Sequence, residues 1–127
     1  MKLSFYGLLL VTILFPLEFV VNPYLQNATP TSIYVLWETD SNSDTRVEWG
    51  TSTVLGNITS GTALYNSGNS QIHTVQLTDL QPDTRYYYRT VTSTISSEIY
   101  DFITPPDPES ESSLKLVAMS DMQKDWS

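Results

Sequence analysis

Along most of the chain, apolar and polar residues alternate with a period of two, in short runs separated by Gly, Asn, Asp, Ser and Pro. That is the pattern of half-buried strands, and no stretch sustains a competing helical period. In TSIYVLWET (31–39), Ile33, Val35 and Trp37 share one face while Tyr34, Leu36 and Glu38 share the other. SQIHTVQLTDL (70–80) sets His73, Val75, Leu77 and Asp79 against Ile72, Thr74, Gln76 and Thr78. The first set is the expected buried one, because Leu77 and Leu80 then lead into the core. VVNPYLQN (20–27) fits an opening edge strand, since Pro23 has no N–H to give to a ladder. DTRVEWGTS (44–52) places Val47 and Trp49 together, and RYYYRTVTST (85–94) and SSEIYDFIT (96–104) complete the series. Between 53 and 69, Gly56, Gly61 and Gly68 mark turns and one or two short strands are expected. About seven strands in roughly 85 residues predict an all-β fold, an antiparallel two-sheet sandwich.

The flanks follow other patterns. Lys2 precedes the apolar run FYGLLLVTILFPL (5–17), which stops at Glu18. This run falls short of the roughly 20 apolar residues that a membrane-spanning helix needs. Residues 1–19 are therefore expected to be a signal peptide, with the mature start within 17–23; an uncleaved anchor or a buried segment are the alternatives. At the other end, PPDPESESS (105–113) holds three prolines, three acids and no apolar residue, and reads as a stiff, solvated linker. LKLVAMS (114–120) then starts a fresh apolar strand, so residues 114–127 are expected to open a second, truncated domain.

Composition narrows the functional classes. A formal charge of -8 with only six Lys and Arg offers no electrostatic foothold on a phosphate backbone or an anionic bilayer, so no nucleic-acid partner is expected. No stable membrane span is expected once the signal is cleaved, and the protein is expected to be secreted or periplasmic. The absence of cysteine excludes disulfides, thiolate metal sites and a thiol nucleophile. Two sequons, at Asn27 and Asn57, carry meaning only in a eukaryotic host, and Pro30 would hinder use of the first.

One local motif is specific. In LQPDTRYYYR (80–89), Leu80, Pro82, Thr84 and Tyr86 match the L-x-P-x-T-x-Y pattern of fibronectin type III domains and resemble the tyrosine corner of such sandwiches. Taken with NPYLQNATPTSIYVLWET and DTRVEWGTS, the segment IHTVQLTDLQPDTRYYYR is similar to the N-terminal domain of purple acid phosphatases, over residues 20–104. The resemblance implies a fibronectin type III or immunoglobulin-like sandwich, followed by an α/β metallophosphoesterase domain that hydrolyses phosphate monoesters. Thr90 departs from the apolar residue usual after YYYR, a change that implies looser local packing without a change of fold.

LKLVAMSDMQ resembles the first motif of that second domain, a buried strand ending in Asp-x-Gly, and puts Asp121 on the metal-ligand position. The resemblance implies a binuclear centre, iron with iron, zinc or manganese, in the full-length protein. Gln123 stands where relatives have Gly, which leaves open a relative with altered metal use. A carboxylate suits such cations, although an Asp after a strand also serves turns. The resemblance implies several more ligands, a bridging Asp, a Tyr, an Asn and several His, later in the polypeptide; His73 is the sole histidine here, so this chain alone is expected to bind no metal and to lack most of the active site. His73 is expected to be structural, Trp37 and Trp49 to belong to the core, and the linker acids to be a solvated spacer. The competing reading is a secreted fibronectin-like binding or adhesion module without enzymatic activity.

Overall fold

The alternation in the sequence becomes nine strand segments among the described residues of a computed structural model, which describes 15–109 together with Gly7, Leu10 and Val11. They are β1 (Phe19–Thr29), β2 (Ser32–Thr39), β3 (Arg46–Gly50), β4 (Asn57–Ser60), β5 (Thr62–Asn66), β6 (Ser70–Leu77), β7 (Arg85–Thr92), β8 (Ile95–Ser96) and β9 (Tyr100–Ile103). One sheet runs β1-β2-β6-β5; the other runs β4-β3-β7, with β8 and β9 both paired to β7. All pairs are antiparallel. The fold is the all-β, antiparallel two-sheet sandwich that the strand pattern implied, of the fibronectin-like kind that the resemblance implied.

Burial follows the period-two faces. Ile33, Val35 and Trp37 of β2 meet Val75 and Leu77 of β6, Val47 of β3, Tyr86 and Tyr88 of β7 and Phe102 of β9 in one core. Phe19, Leu25, Trp49 and Tyr100 pack against it from the edges. As expected, β1 is an edge strand, and its pairing with β2 shifts register between Val21 and Tyr24, around Pro23. A missing N–H costs nothing where the ladder is already interrupted.

One segment meets the expected strand count and adds a change of sheet, and another differs from the expected single strand. Residues 53–69 form two strands in opposite sheets, with Gly61 between them. A Cβ there would lie 2.0 Å from the Thr74 carbonyl oxygen, so only glycine lets the chain pass that close to β6 as it changes sheet. SSEIYDFIT is not one strand: between the pairs Val91–Ser96 and Tyr88–Tyr100, two residues of β7 face three, Ser97 to Ile99. That is a β-bulge. The Ser97 hydroxyl accepts the Thr90 N–H at 3.0 Å, and the Ser97 N–H donates to the Thr90 carbonyl at 2.9 Å, which repairs the ladder across the bulge.

The tyrosine corner is formed. The Tyr86 hydroxyl accepts the Gln81 N–H at 2.8 Å, while Leu80 is buried and its N–H bonds the Thr31 carbonyl at 3.0 Å. The turn from β6 to β7 is thereby tied to both sheets. Thr104 closes the same end, its hydroxyl donating to the Gln81 carbonyl at 2.5 Å and its N–H to that of Thr84 at 3.0 Å.

Candidate functional site

Asp121 and Gln123 lie outside the described residues, as do 114–127 as a whole. The chemistry-bearing residues that the structure does describe gather in two places, the polar end of the core and the outer face of the β3–β7 sheet.

His73 is fully buried on β6 and stacks on Trp37, ring centroids 4.9 Å apart. Both flanks of the β2–β3 loop reach it. Thr39 Oγ1 lies 2.7 Å from Nε2 and donates to the Ser41 carbonyl at 2.7 Å, while Thr45 Oγ1 lies 2.6 Å from Nδ1 and donates to the Ser43 carbonyl at 2.9 Å. A neutral imidazole has one N–H, so both hydroxyls can serve their carbonyls together only if both ring nitrogens carry hydrogen. In the neutral ring, one threonine must turn its hydrogen from the loop carbonyl to the ring. Burial pushes the His73 pKa below its ordinary value, opposed by the Asp44 carboxylate nearby. Asp44 is itself held below the usual carboxylate range, first by its hydrogen bonds from Arg46 and then by the Ser93 N–H, 2.8 Å away. The arrangement clasps the 40–45 loop to both sheets. It is structural, as the sequence suggested for His73, and it offers no open position to a ligand.

Trp37 and Trp49 also take core roles: Trp37 Nε1 donates to Thr92 Oγ1 and Trp49 Nε1 to Thr59 Oγ1, each at 2.9 Å. Tyr86 and Tyr88 point inward, and desolvation pushes the Tyr88 phenol up to about 12. Tyr87 lies on the opposite face.

On the outer face of the second sheet, Ile58, Glu48 and Arg89 form a row across β4, β3 and β7, with Ile99 of the bulge at its end. Arg89 and Glu48 are ion-paired. Val54, Leu55, Gly56 and Asn57 fold over the row and close a cleft of about 270 Å³. Its apolar walls are open to water: Val54 is 87%, Ile58 64% and Ile99 42% exposed. The loop doubles back because Leu55 adopts φ 70°, its N–H bonded to the Ser52 carbonyl at 3.0 Å. A Cβ on Gly50 would sit 1.8 Å from the Leu55 carbonyl oxygen, so Gly50 is what lets the loop close. This cleft went unread in the sequence because 53–58 has no period; the apolar cluster Val54, Leu55 and Ile58 was its only signal.

Among the described residues, no three His, Cys, Asp or Glu side chains are grouped to hold a metal ion. No helix among them is long and apolar enough to cross a membrane.

Comparison with known proteins bears on what the sandwich belongs to. Residues 20–104 match the sequence model of the family described as Purple acid Phosphatase, N-terminal domain. No curated protein matches the chain. Among solved structures, the sensor domain of the anti-sigma factor RsgI4 from Pseudobacteroides cellulosolvens superposes with a TM-score of 0.56 at 18% identity, over 76% of this chain and 95% of that one. PhoD superposes with a TM-score of 0.56 at 17% identity, over 73% of this chain and 21% of that one. At such identities the structural likeness establishes the fold alone.

Proposed function

Because the chain belongs to the family of purple acid phosphatase N-terminal domains, we propose that it is the non-catalytic, amino-terminal part of an exported metallophosphoesterase that hydrolyses phosphate monoesters. The family match over the whole sandwich carries this reading. The residues described do not fit a binuclear metal centre: the carboxylates among them are dispersed and His73 is enclosed. The reading assigns such a centre to a catalytic body that begins at residue 114, with Asp121 as its first ligand and the remaining ligands in polypeptide after Ser127. When bound, a metal pair of this kind neutralises phosphate oxygens and lowers the pKa of a bound water. The sandwich would pack beside that body and shape or shield its entrance, joined to it through 105–113.

Export rests on the apolar run after Lys2. Phe19 packs against the core, which favours cleavage on its N-terminal side. A second reading, a secreted binding module without activity, is favoured by the open apolar cleft at Val54, Ile58 and Ile99.

Expression of the gene extended past Ser127 separates the two. The first reading expects hydrolysis of a chromogenic phosphate monoester that is lost on chelation and restored by iron, zinc or manganese. A stop codon after Ser127, or an extended product inert with every metal, would leave only the binding module.

A further inference from the structure

The two outer faces of the sandwich differ in kind. Among the described residues all three cationic side chains, Arg46, Arg85 and Arg89, lie on β3 and β7. Each is ion-paired, to Asp44, Asp101 and Glu48 respectively. That sheet meets water with charges that already satisfy one another. The outer face of the β1-β2-β6-β5 sheet has no cation and carries large apolar side chains where an exposed antiparallel face ordinarily alternates to polar.

Register places these side chains together. Tyr24 pairs with Leu36, Tyr34 lies two positions along β2, and Val21 pairs with Glu38, which pairs with Ile72, which pairs with Leu64. The apolar tract thus crosses all four strands. Val21 and Tyr24 are each 39% exposed and Leu64 70%, while Tyr34, Leu36 and Ile72 are half-buried. Glu38, in its midst, is held by hydrogen bonds from Ser70 and Asn66 instead of projecting freely. Contiguous exposed apolar surface with aromatic members marks an interface.

Three observations identify the occupant. The chain leaves the sandwich at Thr104, at the end closed by Gln81, Thr84 and the Leu80–Thr31 bond, beside the Tyr34 end of this face. Residues 105–113 extend at most about 30 Å, enough to reach along the eight residues of β2, about 26 Å. The acids Glu18 and Asp40 border the tract and Glu38 lies within it, so a second copy of the same face would meet like charge. We propose that the outer face of the β1-β2-β6-β5 sheet docks the body that follows residue 113 in the same polypeptide, through an apolar patch rimmed by Lys or Arg on that body. This rests on the reading that such a body follows.

Hydroxyl-radical footprinting of the 127-residue chain and of the product extended past Ser127 tests it. Labelling of Tyr24, Tyr34, Leu36, Leu64 and Ile72 is expected to fall several-fold in the extended product, with Val54, Ile58 and Ile99 unchanged. Leu64→Asp, at an exposed edge, should restore labelling of Tyr24 and Tyr34 in the extended product while leaving the melting of the 127-residue chain unchanged. Unchanged labelling of the tract, or protection moving to Ile58 and Ile99, overturns the proposal. So does protection in the 127-residue chain that grows with concentration, the sign of a second copy. Phosphatase activity of the extended product is read separately: an active product with an exposed tract refutes the docking face alone, and an inactive product with a protected tract refutes only the catalytic reading.

Discussion

Replacing Thr90 by Val should make the sandwich more stable. Thr90 is fully buried on β7, its N–H and carbonyl are both taken by Ser97, and its hydroxyl oxygen has no partner. A buried hydroxyl left unsatisfied costs about 1–3 kcal/mol. Valine has nearly the same volume and the same branching at Cβ, so it needs no new rotamer space in the strand. It substitutes a methyl for the hydroxyl, and each buried carbon of this kind adds about 0.8 kcal/mol. Imperfect fit of the methyl offsets part of both terms, leaving an expected net gain of about 1–2 kcal/mol. For a domain of this size each kcal/mol moves the melting temperature by about 4–8 °C. Urea unfolding followed by tryptophan fluorescence, with Trp37 and Trp49 as probes in the sandwich, gives the free energy; the slope with urea should not change. Thr90→Ser, which keeps the hydroxyl and removes the methyl, should destabilise. A valine variant no more stable than the parent, with the same slope, would mean that the hydroxyl has a partner and that the reasoning is wrong.

Three further outcomes follow from the structure. The pKa of His73 is pushed down in the folded state, so the unfolded chain takes up the proton first; stability is fully present above about pH 6.5 and is lost as pH falls from there towards the folded value. With a single histidine in the chain, one imidazole resonance reports that titration directly, and a midpoint above the free value would contradict the burial argument. Gly50→Ala should cost about 1–3 kcal/mol by driving a Cβ into the Leu55 carbonyl, and chemical-shift changes should concentrate in residues 51–58. Tyr86→Phe removes the acceptor of the Gln81 N–H and should cost about 1 kcal/mol in urea unfolding; an unchanged midpoint would mean that the corner bond adds nothing.

Most of the sandwich was legible because one-sided burial writes a period of two into β2 and β6, and because the tyrosine-corner spacing links a turn to a buried ring. The pattern also carried Pro23 to an edge and His73 to the inside. It did not reveal the sheet change at Gly61, since a glycine that admits close backbone approach reads the same as one in a turn. Nor did it reveal the bulge at 97–99, where one extra residue splits a strand without disturbing its composition. The partners of His73 were invisible for a different reason: Thr39 and Thr45 are far from it in sequence, and only the β2–β6 pairing and the following loop bring them to its two nitrogens. The cleft at Ile58 depends on the backbone of Leu55 and Gly50, which no side-chain pattern encodes.

The central claim is that this sandwich precedes a metal-bearing body whose first ligand is Asp121. Metal content of the extended product, measured after gel filtration for the parent and for Asp121→Asn, tests it most directly. The account predicts a bound metal pair in the parent, loss of metal in the variant, and an unfolding transition of the sandwich that is the same in both. Equal metal content in parent and variant, or none in either, would contradict it.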